Sequence, residues 1–246
     1  MVLLAGFRQM IGRGQPRAPT PPMLADPGWI LKGRLMLTRR HALLSGLATG
    51  AAFALPALAA EENPMPPELR KALERDPNAP VLGNPNGDIT LTEFFDYNCP
   101  YCRVMVKDVH QLITDDKNLR VVFREWPVFG EGSIFTTRVS LASLKQGKYW
   151  QFHSAMMAIK GKADERSAMR TAEKVGLDLT RLKKDMDSDQ VYAHMDRSTE
   201  LADHMGLVGT PTFIAGNEGL FGKQSLTELK EMIARGRKAL AKPARR

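Results

Sequence analysis

Cysteine is nearly absent: the 246-residue chain holds two, Cys99 and Cys102. A zinc site built on them would need two further ligands. Beyond the first 60 residues the only histidines are His110, His153, His194 and His204, and none pairs at metal-ligand spacing. A purely structural disulfide would close so small a loop that it would contribute little, because the entropic benefit grows with loop size. Acidic residues are equally scarce at the start. Residues 1–60 carry Asp26 alone against Arg8, Arg13, Arg17, Lys32, Arg34, Arg39 and Arg40. The formal charge of +8 is therefore mostly a property of this leader; without it, 28 basic and 26 acidic residues leave about +2. Such a balance gives no broad electrostatic reason to bind nucleic acid. No internal repeat is visible. The 43 % apolar fraction is ordinary and supports a sizeable core. The length suits one large domain, or a core domain carrying an insertion.

The leader has the layout of a secretory signal peptide. Arg39-Arg40 precede an uncharged run over 41–60, and Ala57-Leu58-Ala59 makes a small-residue exit before Ala60. The run is nearly long enough for an uncleaved anchor, but Ser45, Gly46, Thr49 and Gly50 dilute its hydrophobicity. Thr38-Arg39-Arg40 resembles a twin-arginine signal with Ala42 in place of the usual bulky residue, so Sec and twin-arginine export are both open. Residues 1–35 are rich in Pro and Gly, lack periodicity and precede Met36. They read as a mis-assigned start or disordered leader, and 36–60 as the signal peptide.

Residues 61–80 form a polar, proline-rich linker in which 66–76 can make a short helix that starts at a proline. Residues 84–88 read as a turn, and 89–95 as a strand. Helical spacing of Val104, Met105, Val109, Leu112 and Ile113 predicts a helix over 100–115. Residues 119–126 give a second buried strand. Strand–helix–strand implies a parallel pair. From 133 to 207 no strand is convincing and several helical patterns follow one another. Gly176 and Gly206 sit at helix stops, and Ser188 is placed to cap a helix carrying Val191, Met195, Ala202 and Met205. Residues 212–215 return to strand character, with Asn217-Glu218-Gly219 as a hairpin turn. Ser225-Leu226-Thr227-Glu228 is a capping box opening a final helix with Leu229, Met232 and Ile233 on one face. The order defines an α/β core, 81–132 and 208–242, interrupted by a helical insertion, 133–207. Phe135, Trp150, Phe152 and Met156 in that insertion read mainly as core.

The cysteines form Cys99-Pro100-Tyr101-Cys102 between a strand and a helix, the context that gives the motif redox meaning. At i and i+3 the two side chains share one helix face, at a separation compatible with a disulfide. Cys99 falls at the helix N-terminus, where free N–H groups and the macrodipole favour an anion. Pro100 suits the first helical position. Because thiolate performs exchange, Cys99 is the expected nucleophile and Cys102, one turn deeper, the resolving thiol. Stabilising the Cys99 thiolate would favour the reduced form and make the disulfide an oxidant.

Two further features stand out. Glu93 lies on the strand six residues before Cys99. Directed beneath the thiols, it would be desolvated, rise in pKa and relay a proton to the resolving sulfur; an alternating strand equally allows a solvent-facing Glu93. Gly209-Thr210-Pro211-Thr212 places a proline at the start of a strand. A trans bond is the default, whereas a cis bond could turn the backbone edge of Thr210 toward a bound peptide.

The run Glu93-Phe94-Phe95-Asp96-Tyr97-Asn98-Cys99-Pro100-Tyr101-Cys102, with Gly209-Thr210-Pro211-Thr212-Phe213, resembles the bacterial periplasmic DsbA-like family. The resemblance covers about 81–238. It implies a thioredoxin fold with an inserted all-helical domain, a cis Pro211 and a buried acid at Glu93. It also implies periplasmic localisation, and no cofactor beyond the redox-active Cys99–Cys102 disulfide. The implied partners are unfolded or newly exported cysteine-containing proteins and a DsbB-like membrane partner. Strongly oxidising relatives usually carry histidine before the second cysteine and valine before the cis-proline. Tyr101 and Thr210 here are similar to the isomerase and sulfenic-acid-reducing branch, which implies a less acidic Cys99 and a milder oxidant. That branch assembles through an N-terminal extension, for which 61–80 is too short unless it forms a small association helix. Three readings follow: a dithiol oxidase, an isomerase or reductase kept reduced by a DsbD-like partner, and a non-catalytic chaperone or metal-binding module.

Overall fold

The computed structural model describes residues 65–241. The start-site, signal-peptide and export readings fall on residues outside the described ones. In chain order the elements are α1 (Pro67–Glu74), β1 (Val81–Gly83), β2 (Ile89–Phe95), α2 (Pro100–Asp115) and β3 (Leu119–Glu125). Then come α3 (Glu131–Ser143), α4 (Tyr149–Met157), α5 (Glu165–Lys174), α6 (Leu179–Asp185) and α7 (Asp189–His204). The chain closes with β4 (Thr212–Ala215), β5 (Glu218–Phe221) and α8 (Leu226–Ala241). This is the α/β thioredoxin-like architecture with helices inserted between β3 and β4.

The five strands are ordered β1-β3-β2-β4-β5. β2 and β3 pair in parallel, Glu93 opposite Phe123 and Phe95 opposite Glu125, as their α2 crossover requires. The other pairings are antiparallel. Every residue of β2 and β3 is buried, because helices cover both faces of the sheet. On one face Leu91, Phe95, Val121 and Phe123 pack with Met105, Val109 and Leu112 of α2 and with Leu229, Met232 and Ile233 of α8. Tyr149, Phe152 and Met156 of α4 extend the same cluster. On the other face Phe94 and Ile214 meet Leu73 of α1 and Leu201, Ala202 and Met205 near the end of α7. Phe135 and Trp150 are half-buried against the first cluster, and Phe152 and Met156 are fully within it.

Two local readings are corrected, and one strand was not foreseen. The hairpin turn falls at Gly216-Asn217, because Ala215 pairs with Glu218 and Gly219 is already in β5. Gly216 has φ +60°, and a Cβ there would sit 2.8 Å from the backbone of Gly236, so the turn needs glycine twice over. Ser188 stands at the N-cap of α7 but makes no cap bond; its hydroxyl donates to the Asp185 carbonyl instead. Residues 81–83 form a strand that the sequence does not announce. The Ser225–Glu228 capping box is made in both directions. Gly176 and Gly206 end their helices with positive φ.

Candidate redox site

Cys99 occupies the N-cap of α2, with extended backbone (φ −73°, ψ 116°) and Pro100 as the first helical residue. Its Sγ accepts the Cys102 N–H at 3.2 Å, which satisfies one of the orphan donors of the helix start. Both cysteines are free thiols and both are buried. The Cys99 thiol is lowered to about 6, first by the hydrogen bond from the Cys102 thiol and then, against the cost of burial, by Thr210 and by the Cys102 and Tyr101 N–H groups. Burial drives the Cys102 thiol strongly upward, and the neighbouring Cys99 and Glu93 charges push the same way. The two sulfurs thus have opposed proton affinities, one favouring a thiolate and the other a thiol.

Glu93 points into the core rather than to solvent and is 3 % exposed. Burial, and secondarily the Cys99 charge, pushes its carboxyl up to about 8. The Thr210–Pro211 peptide is cis. The Thr210 carbonyl oxygen accepts from Cys99 Sγ at 3.3 Å. Tyr101 is 57 % exposed beside the pair, and Pro100 is also exposed. The structure therefore places Cys99, Cys102 and Thr210 in one hydrogen-bonded group with Glu93 electrostatically coupled to it, while Tyr101 faces outward. Val104, Val208 and Phe221 are exposed apolar side chains, and the Phe221 ring closes over Gly209. Among the described residues no cluster of three or more His, Cys, Asp or Glu could hold a metal ion.

Several buried polar residues around the site carry no assignment from the sequence. The Asp96 carboxylate accepts the Asn98 N–H at 2.6 Å and the Ser133 hydroxyl at 2.7 Å. A second network joins the Tyr97 hydroxyl to Ser140 at 2.6 Å and to His153 at 3.2 Å. Ser140 in turn donates to Glu125 at 2.7 Å. Burial pushes Glu125 up to about 8 and His153 down to about 3, so each is held in its neutral form near neutral pH. The only sequence signal for Asp96 was an Asp two residues before an Asn at a strand end, an Asx-turn pattern. Glu125 gave none, since it closes a run that is otherwise strand-like.

The model of the DSBA-like thioredoxin domain family matches residues 90–234. A solved thioredoxin-like oxidoreductase from Silicibacter pomeroyi DSS-3 is 48 % identical with a TM-score of 0.68, covering 69 % of this chain and 98 % of that one. Disulfide bond formation protein D of Bacillus subtilis (strain 168) is 25 % identical over 169 residues, 63 % of this chain and 75 % of the relative. Na(+)/H(+) antiporter NhaA 1 of Salinispora arenicola (strain CNS-205) is 26 % identical over 155 residues. That match takes in 62 % of this chain but 24 % of the antiporter. The chain thus spans about a quarter of the length of the first curated relatives it matches.

Proposed function

Because the chain belongs to the DSBA-like thioredoxin domain family, a family of thiol–disulfide oxidoreductases, we propose that it is an exported dithiol oxidase working in the periplasm through Cys99 and Cys102. The observation that carries this reading is the opposed proton affinity of the two sulfurs. With the Cys99 thiol near 6, roughly nine-tenths of it is thiolate at pH 7. A stabilised thiolate favours the reduced protein, so its disulfide is an oxidant. The leader over 36–60 supports export.

The exchange runs as two displacements. A substrate thiolate attacks Cys99 Sγ of the Cys99–Cys102 disulfide; an S–S bond forms between substrate and Cys99, and Cys102 leaves as a thiolate. Cys102 is buried and holds its proton strongly, so the leaving sulfur must be protonated, and Glu93, buried and still protonated near neutral pH, is the donor. A second substrate thiolate then attacks the substrate sulfur of the mixed disulfide and expels Cys99 as its stabilised thiolate. The substrate has lost two electrons and the Cys99–Cys102 pair has gained them. Thr210 and Pro211 border Cys99 as the substrate-binding edge, and Pro100 and Tyr101 shape the first turn. No cofactor beyond the cysteine pair is required. The partners are unfolded or newly exported cysteine-containing proteins and a DsbB-like membrane protein that reoxidises the pair; nucleic acid is not among them.

A second reading, an isomerase or reductase kept reduced by a DsbD-like partner, is favoured by Tyr101. Its side chain is turned to solvent and supplies no charge to Cys99, and a thiol near 6 lies between the about 7 of thioredoxin and the about 3.5 of a strong oxidase. Refolding assays separate the two. Oxidised protein restoring activity to reduced, unfolded RNase supports the oxidase. Failure there, with rescue of scrambled RNase by the reduced protein, overturns it in favour of the isomerase.

A further inference from the structure

The three residues that lead from β2 into Cys99 send their long-range side-chain hydrogen bonds to the insertion and to the loop before it. The Asp96 carboxylate is 1 % exposed. Its Oδ1 accepts the Asn98 N–H at 2.6 Å and the Ser133 hydroxyl at 2.7 Å, and its Oδ2 accepts the Phe129 N–H at 3.0 Å. Asn98 exchanges a reciprocal pair with the main chain of Ala163, at 2.9 and 2.8 Å, and donates to Ser133 at 2.9 Å. The Tyr97 hydroxyl meets Ser140. Arg103 closes the brace from below: its guanidinium donates to the Tyr97 carbonyl at 2.8 Å and to the Gly161 carbonyl at 2.7 Å.

Asp96 is also the residue whose main chain meets both cysteines. Its carbonyl accepts the Cys99 N–H at 3.1 Å, and its N–H is directed at the Cys102 sulfur. We propose that Asp96 is a positioning residue of the exchange reaction: braced against the insertion through Ser133 and against the loop after β3 through Phe129, it holds Cys99 at the mouth of α2 and Cys102 beneath it. The inference rests on the reading of Cys99 and Cys102 as an exchanging pair. It assigns the insertion a part in setting the geometry of the thiols.

The physical reason is the short reach of the stabilisation. An N-cap group gains from N–H donors only while it is aimed at them, and the helix-end field fades within the first turn. Cys99 has its N–H groups, the Cys102 thiol and Thr210 arranged around one sulfur position. A loop released from Asp96 samples other positions and loses part of each bond. The buried carboxylate satisfies three neutral donors, all of which lose a partner when it is removed.

The test is a double-mutant cycle of Asp96→Ala and Ser133→Ala, read by titrating the Cys99 thiolate through its ultraviolet absorbance and by urea unfolding. Ser133→Ala leaves the charge unchanged. It should raise the Cys99 pKa by about half a unit, a roughly threefold loss of thiolate below the midpoint. Most of that shift should vanish in the Asp96→Ala background, where the bond is already gone. The proposal is overturned if Ser133→Ala moves only the urea midpoint, or if it shifts Cys99 equally in both backgrounds. Should Asp96→Ala not fold, the Ser133→Ala titration decides alone. A wild-type Cys99 that titrates as a free thiol and forms no disulfide with Cys102 would count against the exchange reading itself. A normal wild-type pair with an unmoved variant counts against the brace.

Discussion

The Thr210 carbonyl oxygen lies 3.3 Å from Cys99 Sγ, while the buried hydroxyl of the same residue has no hydrogen-bond partner within the described residues. The two groups favour opposite protonation states. A carbonyl can only accept, so it stabilises the thiol; a hydroxyl can donate, so it favours the thiolate. The Thr210 side chain acts downward on Cys99, behind the Cys102 thiol, the direction a hydroxyl donor gives. Thr210→Val keeps the shape and the carbonyl but deletes the donor. It should raise the Cys99 midpoint by about one unit, tenfold in thiolate, with the urea midpoint little changed. An unmoved thiolate titration would show that the hydroxyl takes no part.

Stability should depend on pH in a way set by four buried groups. Glu93 and Glu125 are pushed up from 4.5 to about 8, both chiefly by burial. Between those values the folded state holds protons that the unfolded chain has lost, so stability falls as pH rises. His153 and His194 are lowered from 6.5 to about 3, again chiefly by burial. Between those values the unfolded chain holds the extra protons, so stability falls as pH falls. The slopes oppose one another from about 4.5 to 6.5, which makes that window the broad maximum. In the reduced protein Cys99 is thiolate when folded and thiol when unfolded between about 6 and 9, which adds stability with rising pH. Urea midpoints should therefore decline above about pH 6.5 more steeply for the oxidised protein, whose Cys99 has no proton to lose. Glu93→Gln should remove about 1.4 kcal/mol per pH unit of that decline; identical slopes for wild type and variant would refute the assignment.

How much of this was written in the sequence depends on how far each contact reaches along the chain. Cys99, Pro100 and Cys102 at a strand–helix junction, and the Ser225–Glu228 box, are relations between near neighbours and can be read as such. The insertion is legible because strand character stops after β3 and returns only at Thr212. Buried polar residues are another matter. β2 and β3 are covered on both faces, which erases alternation, so periodicity treats a buried Glu93 and a solvent-facing one alike and says nothing of Arg124 or Glu125. The family resemblance, not the pattern, pointed Glu93 inward. The Asp96–Ser133 and Asn98–Ala163 bonds join residues 37 and 65 positions apart, and no local signal announces them. β1 is three residues long, too short to show a period at all.

The assignment of roles to the two sulfurs makes a prediction that does not depend on the direction of transfer. Cys99→Ser removes the attacking sulfur and should abolish exchange in either direction. Cys102→Ser leaves Cys99 able to form a mixed disulfide but removes the thiol that resolves it. Offered a peptide that already carries a disulfide, the variant should accumulate a covalent complex as the Cys99 thiolate displaces one peptide sulfur, seen as a mass shift and released by dithiothreitol. If Cys99→Ser accumulates the complex and Cys102→Ser does not, the roles are reversed.

Arg124 carries the last prediction. It is a fully buried guanidinium on β3, and everything it holds lies at the C-terminal end of α1 or just past it. It pairs with Asp76 at 2.6 Å and donates to the Leu73 carbonyl at 2.7 Å and to the Ala72 carbonyl. These carbonyls are among those a helix end leaves without intrahelical partners. Arg120, from the same strand, adds a bond to the Glu74 carbonyl at 2.5 Å. At the other end of α1, Arg70 reaches Asn217 at 2.6 Å and the Gly216 carbonyl at 3.0 Å. The helix is thus strapped across its own sheet, with Leu73 in the core. Arg124→Ala leaves Asp76 and two carbonyls buried without their cation, a loss of about 3–5 kcal/mol by the usual cost of breaking a buried pair. Because α1 packs on the face opposite Cys99, the thiolate titration should stay in place while the urea midpoint falls and protease cleavage within 65–80 appears. A stability unchanged within about 1 kcal/mol would show that Arg124 is not what holds α1 in place.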